Sequence, residues 1–188
     1  MNFNDHSRLA GGHAFLSASK YHWIRYDDEK LERMFMAVMA AQRGTQLHEL
    51  AKEMIRLKIK PERTGTTFSE YVNDCIGFDM KAEQVLYYSP NCYGTTDAIG
   101  FREKLKQLRI FDLKTGHTQT SIDQLQVYAA LFCLEYDHKP FDLEIELRIY
   151  QNDDVKICIP DPVDISSIME QIKYLDRRLR EFMEEAQL

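Results

Sequence analysis

The chain carries no C-x-x-C pair, and its four cysteines (Cys75, Cys92, Cys133 and Cys158) are scattered without a histidine at finger spacing. That spacing excludes a zinc finger and a disulfide framework and leaves four reduced thiols, expected in the core. Five prolines and eight glycines are spread too thinly to mark a long linker, and no repeat or low-complexity tract is present. No apolar run reaches the length of a membrane span, and no basic segment followed by an apolar one opens the chain. The cytoplasm, without membrane attachment, is the expected setting. Basic residues are also in deficit, 24 Lys and Arg against 30 Asp and Glu for a net charge of −6. This argues against a general polyanion binder but leaves room for local basic patches.

What is present is the balance of a globular protein, 44% apolar and 29% charged over 188 residues, which reads as one domain spanning 1–188. Leu31, Met34, Phe35, Val38 and Met39 recur at helical spacing, which predicts a helix whose apolar stripe enters the core. A second helix is predicted from Gly44, with Leu47, Leu50, Ala51, Met54 and Ile55 on one arc and Pro61 stopping it. A short helix over 68–78 follows. The period then changes: 84–89, 93–101 and 108–115 are rich in β-branched and aromatic residues and predict a three-stranded meander. Ser121 with Gln124 matches a capping box and opens a helix that ends before Pro140. The alternating stretch FDLEIELRIYQ pairs with VKICIP as a hairpin. From Pro162 an amphipathic helix is expected to turn Ile165, Ile168, Met169, Ile172, Leu175, Leu179 and Phe182 inward. The fold class is therefore mixed α/β, a mixed sheet flanked by helices.

Chemistry concentrates around FDLKTG. Asp112 and Lys114 stand at i and i+2, so on a strand they project from the same face. Alternating charge on a solvated sheet face explains such a pair equally well until Asp97 is added, because a hairpin can place its acid beside Asp112. Paired carboxylates on neighbouring strands suit Mg²⁺ or Mn²⁺, which prefer oxygen ligands and keep bound water. Lys114 would then orient or activate the attacking water. His48 lies at the margin of a helical apolar arc one turn after Gly44, either as a packed histidine or as a ligand that favours Mn²⁺. Gln124 and Tyr128 share a helix face directly after that strand, either capping and packing or facing the site.

In order, GTQLH, GTTDAI, FDLKTG and QLQVY resemble the motifs of the PD-(D/E)XK nuclease superfamily in its RecB-like branch, which includes phage exonucleases and CRISPR-associated RecB-like exonucleases. The likeness covers residues 44–128, and FLSASKYHWI (15–24) looks like the Ser-rich helix entrance of many RecB-like domains. The resemblance implies a restriction-endonuclease-like core, α-β-β-β-α-β with a C-terminal helix. It implies that His48, Asp97 and Asp112 ligate Mg²⁺ or Mn²⁺, with the Leu113 carbonyl as a further ligand, and that Lys114 is the catalytic lysine. Gln124 and Tyr128 take the Q-x-x-x-Y role, contacting DNA or holding Lys114. Two departures stand out. No cysteine cluster follows Cys158, so an iron–sulfur cluster is not expected, and no helicase segment is present.

DNA, single-stranded or at duplex ends, is the implied partner. Arg102, Lys104, Lys106 and Arg109 lie between the acid-bearing strands, where they could track phosphates or merely solvate a turn. Lys20 and Arg25 alternate with Tyr21, Trp23 and Tyr26, a composition suited to stacking on unpaired bases, although Trp23 also suits a core. The expected activity is a metal-dependent deoxyribonuclease, an exonuclease at DNA ends, phage-encoded and acting in the host cytoplasm. A homo-oligomer or a phage or host recombination protein are the protein partners it implies. The competing expectations are a catalytically silent nuclease-fold protein that binds DNA or a host nuclease or defence complex, and a structural phage protein.

Overall fold

A long helix, α1 (Asp28–Leu57), leads into α2 (Thr67–Gly77), the strands β1 (Lys81–Ser89), β2 (Cys92–Arg102) and β3 (Gln107–Leu113), then α3 (Asp123–Glu135), β4 (Glu144–Gln151), β5 (Asp154–Cys158) and α4 (Pro162–Glu185). The computed structural model describes residues 4–116, 118 and 120–186. It divides into two compact units, Met1–Arg43 and Gly44–Leu188.

In the second unit the five strands lie in the order β1-β2-β3-β4-β5. β1, β2 and β3 form the expected antiparallel meander, β3 and β4 run parallel, and β4 and β5 close an antiparallel hairpin. The single parallel pairing requires a crossover, which α3 supplies. One apolar cluster joins Leu108, Ile110, Leu147 and Ile149 to Leu125, Ala129 and Phe132 of α3 and Ile165 of α4. The other joins Phe111, Leu113 and Tyr150 to Ala51 and Ile55 of α1 and Tyr71, Val72 and Cys75 of α2. A sheet covered on both faces accounts for the nearly continuous burial of β3, whose last four residues are all buried. Polar contacts fix α2: Asp74 accepts hydrogen bonds from Tyr150 (2.8 Å), Arg148 (3.0 Å) and Arg63 (2.9 Å). All four cysteines are free; Cys75 and Cys133 are buried, Cys92 and Cys158 half-buried. Burial pushes the Cys133 thiol up to about 12, so it stays protonated and inert.

Three expectations are corrected. The two helices predicted on either side of Gly44 are one, because a single glycine costs a helix only about 1 kcal/mol relative to alanine. Its end lies before Pro61, at a left-handed Lys58 (φ 55°) with Ile59 N–H bonded to Met54 O at 2.9 Å. Leu31, Met34, Phe35, Val38 and Met39 remain 37–49% exposed. Within the first unit the contacts of α1 come from loop residues, with Phe15 edge-on to Phe35 at 6.1 Å and Lys30 4.5 Å from the centre of the Tyr26 ring, while Ser7–Leu9 and Ala18–Arg25 form two short 3-10 segments. Periodicity marks an apolar face without supplying what covers it. In α4, Ile165 and Ile172 are buried and Ile168 and Met169 half-buried, but Leu175, Leu179 and Phe182 are 45–50% exposed. The inward position one turn beyond Ile172 belongs to Asp176, which accepts from Ser89 Oγ (2.5 Å), Asn91 Nδ2 (3.3 Å) and Arg180 Nη2 (2.5 Å) and so clamps the β1–β2 turn.

These burial differences predict different mutational costs. Met34→Gln should change the unfolding free energy from a urea titration by no more than about 0.5 kcal/mol. Ile55→Ala, at a site 4% exposed, should cost about 2–5 kcal/mol in the same titration.

Candidate active site

The β2–β3 ladder runs in register from Arg102↔Gln107 to Ala98↔Phe111, and one further step sets Asp97 opposite Asp112. There the backbone pairing stops. The N–H of Leu113 donates instead to Asp97 Oδ2 at 2.9 Å, and Lys114 N–H turns to Tyr150 O of β4 at 2.9 Å. A side-chain carboxylate thus occupies the place of a ladder bond, and the chain leaves the sheet with Lys114 beside two acids. The Leu113 side chain is buried in the core, so only its backbone belongs to the site.

Asp112 is 4% exposed. Lys114 Nζ donates to its Oδ1 at 3.1 Å and lies 3.0 Å from Oδ2, but at an angle that makes no hydrogen bond, so Oδ2 is buried and unsatisfied. Burial raises the pKa of Asp112 above the usual carboxylate value, the Asp97 charge raises it further, and Lys114 and His48 only partly oppose them. A buried carboxylate beside a second acid is a place suited to positive charge, which Lys114 supplies in the arrangement seen.

Two helices deliver the remaining groups. Gly44 of α1 is buried, and a Cβ there would lie 2.7 Å from Thr115 Oγ1, so the absent side chain lets α1 approach the chain just beyond Lys114. One turn later His48 Nδ1 stands 3.4 Å from Asp97 Oδ2. From α3, Gln124 Oε1 accepts from Lys114 Nζ at 3.3 Å and Gln124 Nε2 donates to Tyr128 OH at 3.2 Å; that hydroxyl donates to Thr95 O at 2.7 Å. Gly94 makes room for the Tyr128 ring, since a Cβ would meet Cε1 at 2.8 Å. The Ser121–Gln124 capping box does not form. Ser121 Oγ accepts from Asp123 N–H at 3.2 Å, while the Gln124 side chain is committed to Lys114 and Tyr128.

The structure therefore brings Asp97, Asp112, Lys114, Gln124, Tyr128, His48 and the Leu113 backbone into one place, as two linked pairs, His48–Asp97 and Lys114–Asp112. Among the described residues no three His, Cys, Asp or Glu side chains stand together at metal-holding distance. The donor chemistry, one imidazole and two carboxylates with an unsatisfied buried oxygen, still fits a divalent cation.

The basic residues lie elsewhere. Arg102, Lys104 and Lys106 border the β2–β3 turn, five strand residues or about 17 Å from Asp112. Arg109 is engaged on β3, 3.3 Å from Glu146 Oε2 and stacked 4.3 Å over the Phe78 ring. Lys20 and Arg25 are exposed in the 3-10 segment of the first unit, where Trp23 is half-buried with its Nε1 donating to Ser17 O. Sequence reasoning missed Gly94 and two residues at the end of β4. Tyr150 O receives Lys114 N–H, and Gln151 Nε2 donates to Gly116 O (2.6 Å) and Thr118 O (2.8 Å), holding the loop after Lys114. A glutamine at a strand end carries no pattern that would have revealed this.

Because the folded-state pKa of Asp112 is raised, its ionised form destabilises the metal-free fold at neutral pH, and that cost fades as pH falls through the raised value toward 3.8. Asp112→Asn should therefore melt higher than wild type at neutral pH without metal, with the gap closing on acidification. Millimolar Mn²⁺ should raise the Tm of wild type and leave the variant unmoved.

No helix among the described residues is long and apolar enough to cross a membrane. Comparison with protein-family models, curated proteins and solved structures returns no match, so the geometry of Asp97, Asp112, Lys114 and their supports carries the functional reading.

Proposed function

We propose that the chain is a metal-dependent deoxyribonuclease of the PD-(D/E)XK superfamily, in its RecB-like branch, acting as an exonuclease at DNA ends and encoded by a phage. The carrying observation is the buried, unsatisfied Oδ2 of Asp112 beside Lys114 where β2 and β3 part. His48, Asp97 and Asp112, with the Leu113 carbonyl, would hold Mg²⁺ or Mn²⁺. When bound, the cation supplies positive charge for phosphoryl oxygens and acidifies water.

The chain's own groups supply the rest. Asp97 is oriented from two sides, by Leu113 N–H and by His48, so its free lone pairs point in a set direction. Lys114 is held by Gln124, itself held through Tyr128 to Thr95, so its ammonium has a fixed place from which to orient an attacking water and offset charge on a non-bridging oxygen. Such interactions strengthen as charge develops and act on kcat more than on affinity.

One observation favours a second reading. In the arrangement seen, the Lys114 ammonium neutralises Asp112 directly, as it would in a catalytically silent nuclease-fold protein that binds DNA or a host nuclease or defence complex.

End-labelled single- and double-stranded DNA incubated with Mn²⁺, Mg²⁺ or EDTA distinguishes the two. Wild type should cut only with metal, and Asp97→Ala should abolish cleavage in a folded protein. Lys114→Ala should lose about 10²- to 10³-fold in single-turnover rate while keeping its DNA affinity across a salt series. A wild type that never cuts, paired with a Lys114→Ala variant whose salt slope falls by about one, supports the silent binder.

A further inference from the structure

Seven non-glycine residues among those described have a left-handed backbone. Six end a helix or turn a hairpin: Lys58, Asp79 and Asp137 follow α1, α2 and α3, Lys106 lies in the β2–β3 turn, and Asn152 with Asp153 makes the β4–β5 turn. Glu83 (φ 50°) is the exception, in the interior of β1. A glutamate has no local reason to adopt that conformation, so surrounding contacts must hold it there.

The ladder pairs Ala82 with Ala98 and Gln84 with Thr96 but skips the position between, so Glu83 and Asp97 stand opposite by register without pairing through the backbone. Its Oε2 lies 2.6 Å from Lys52 Nζ of α1, and Lys52 also lies 3.5 Å from Glu49. The hydrogen bond that Lys52 donates to Glu83 holds the Lys52 ammonium above the usual lysine range. Lys52 is one helical turn beyond His48, whose own approach to Asp97 is a longer 3.4 Å. Two rungs therefore tie successive turns of α1 to facing residues of β1 and β2, and the shorter is the one outside the acid pair. Ala51 and Ile55 press the same helix into the core, and the Lys52–Glu83 contact adds a directed tie on the face that carries His48.

We infer that Lys52 and Glu83 are positioning residues that hold the His48 imidazole against Asp97, and that the left-handed backbone of Glu83 serves to carry its carboxylate across to α1. The inference rests on the reading of His48 and Asp97 as part of a cation site.

Mn²⁺ binding to the full chain without nucleic acid, followed by electron paramagnetic resonance, tests it together with nuclear Overhauser contacts between the His48 ring and the Asp97 methylene in metal-free protein. Lys52→Met and Glu83→Gln should each weaken Mn²⁺ binding about tenfold and lose those contacts, and the double variant should bind no more weakly than either single one. Lys52→Arg should restore both readouts. Lys58→Met, which breaks the 2.7 Å Lys58–Asp79 pair, should change neither. If Glu83 acted only by adding negative charge, Lys52→Met would tighten Mn²⁺ binding, and that result overturns the inference. Contacts that persist in both single variants overturn it as well. A wild type that binds no Mn²⁺ refutes the cation reading alone, and the His48–Asp97 contacts then decide the positioning role by themselves.

Discussion

The bond from Leu113 N–H to Asp97 Oδ2 is the interaction on which the rest of the site depends. Up to Ala98↔Phe111 the two strands exchange backbone bonds; beyond it a carboxylate takes the donor, and the strands part without leaving that N–H unpaired. The parting places Asp97 and Asp112 side by side at the end of β3 and frees Lys114 to leave the sheet toward α3. A backbone acceptor at the same place would have continued the ladder and kept Lys114 in it.

Electrostatics then bind the elements to one another. Asp112 sits where its charge is disfavoured by burial and by Asp97, and the Lys114 ammonium, paired with both of its oxygens, only partly opposes them. Lys114 in turn is held at a fixed place by a chain that ends on the backbone of β2, through Gln124, Tyr128 and Thr95. The β2–β3 fork and the α3 crossover are thus coupled through one ammonium group. On the other side α1 brings His48 by means of a missing side chain at Gly44 and an ion pair at Lys52. Small residues permit the close approach, and polar ones set its register.

The predicted elements were largely legible. β-branched and aromatic enrichment between turn signals marked β1, β2 and β3, strict alternation marked β4, and the motifs carrying Asp97, Asp112, Lys114, Gln124 and Tyr128 fall on strands and a helix that bring them together. Less was legible where a residue's role depends on a partner distant in sequence. Gln124 reads equally as a helix cap or a lysine ligand, and only the proximity of Lys114 separates them. The stripe from Leu31 to Met39 reads as core by spacing alone, yet it stays exposed because spacing describes a face and not its covering.

By itself the sequence determined the local conformations, the alternation that sets Asp112 and Lys114 on one side of the chain, and the residue types able to bind a cation. These depend on neighbours within a few positions, where backbone geometry is periodic. Only the tertiary structure decided that β3 pairs parallel with β4, so that Tyr150 receives Lys114 N–H, that Arg109 is occupied by Glu146 and Phe78, and that Glu83 faces Asp97 from β1. Those outcomes depend on strand register and on contacts between residues tens of positions apart, which no local pattern encodes.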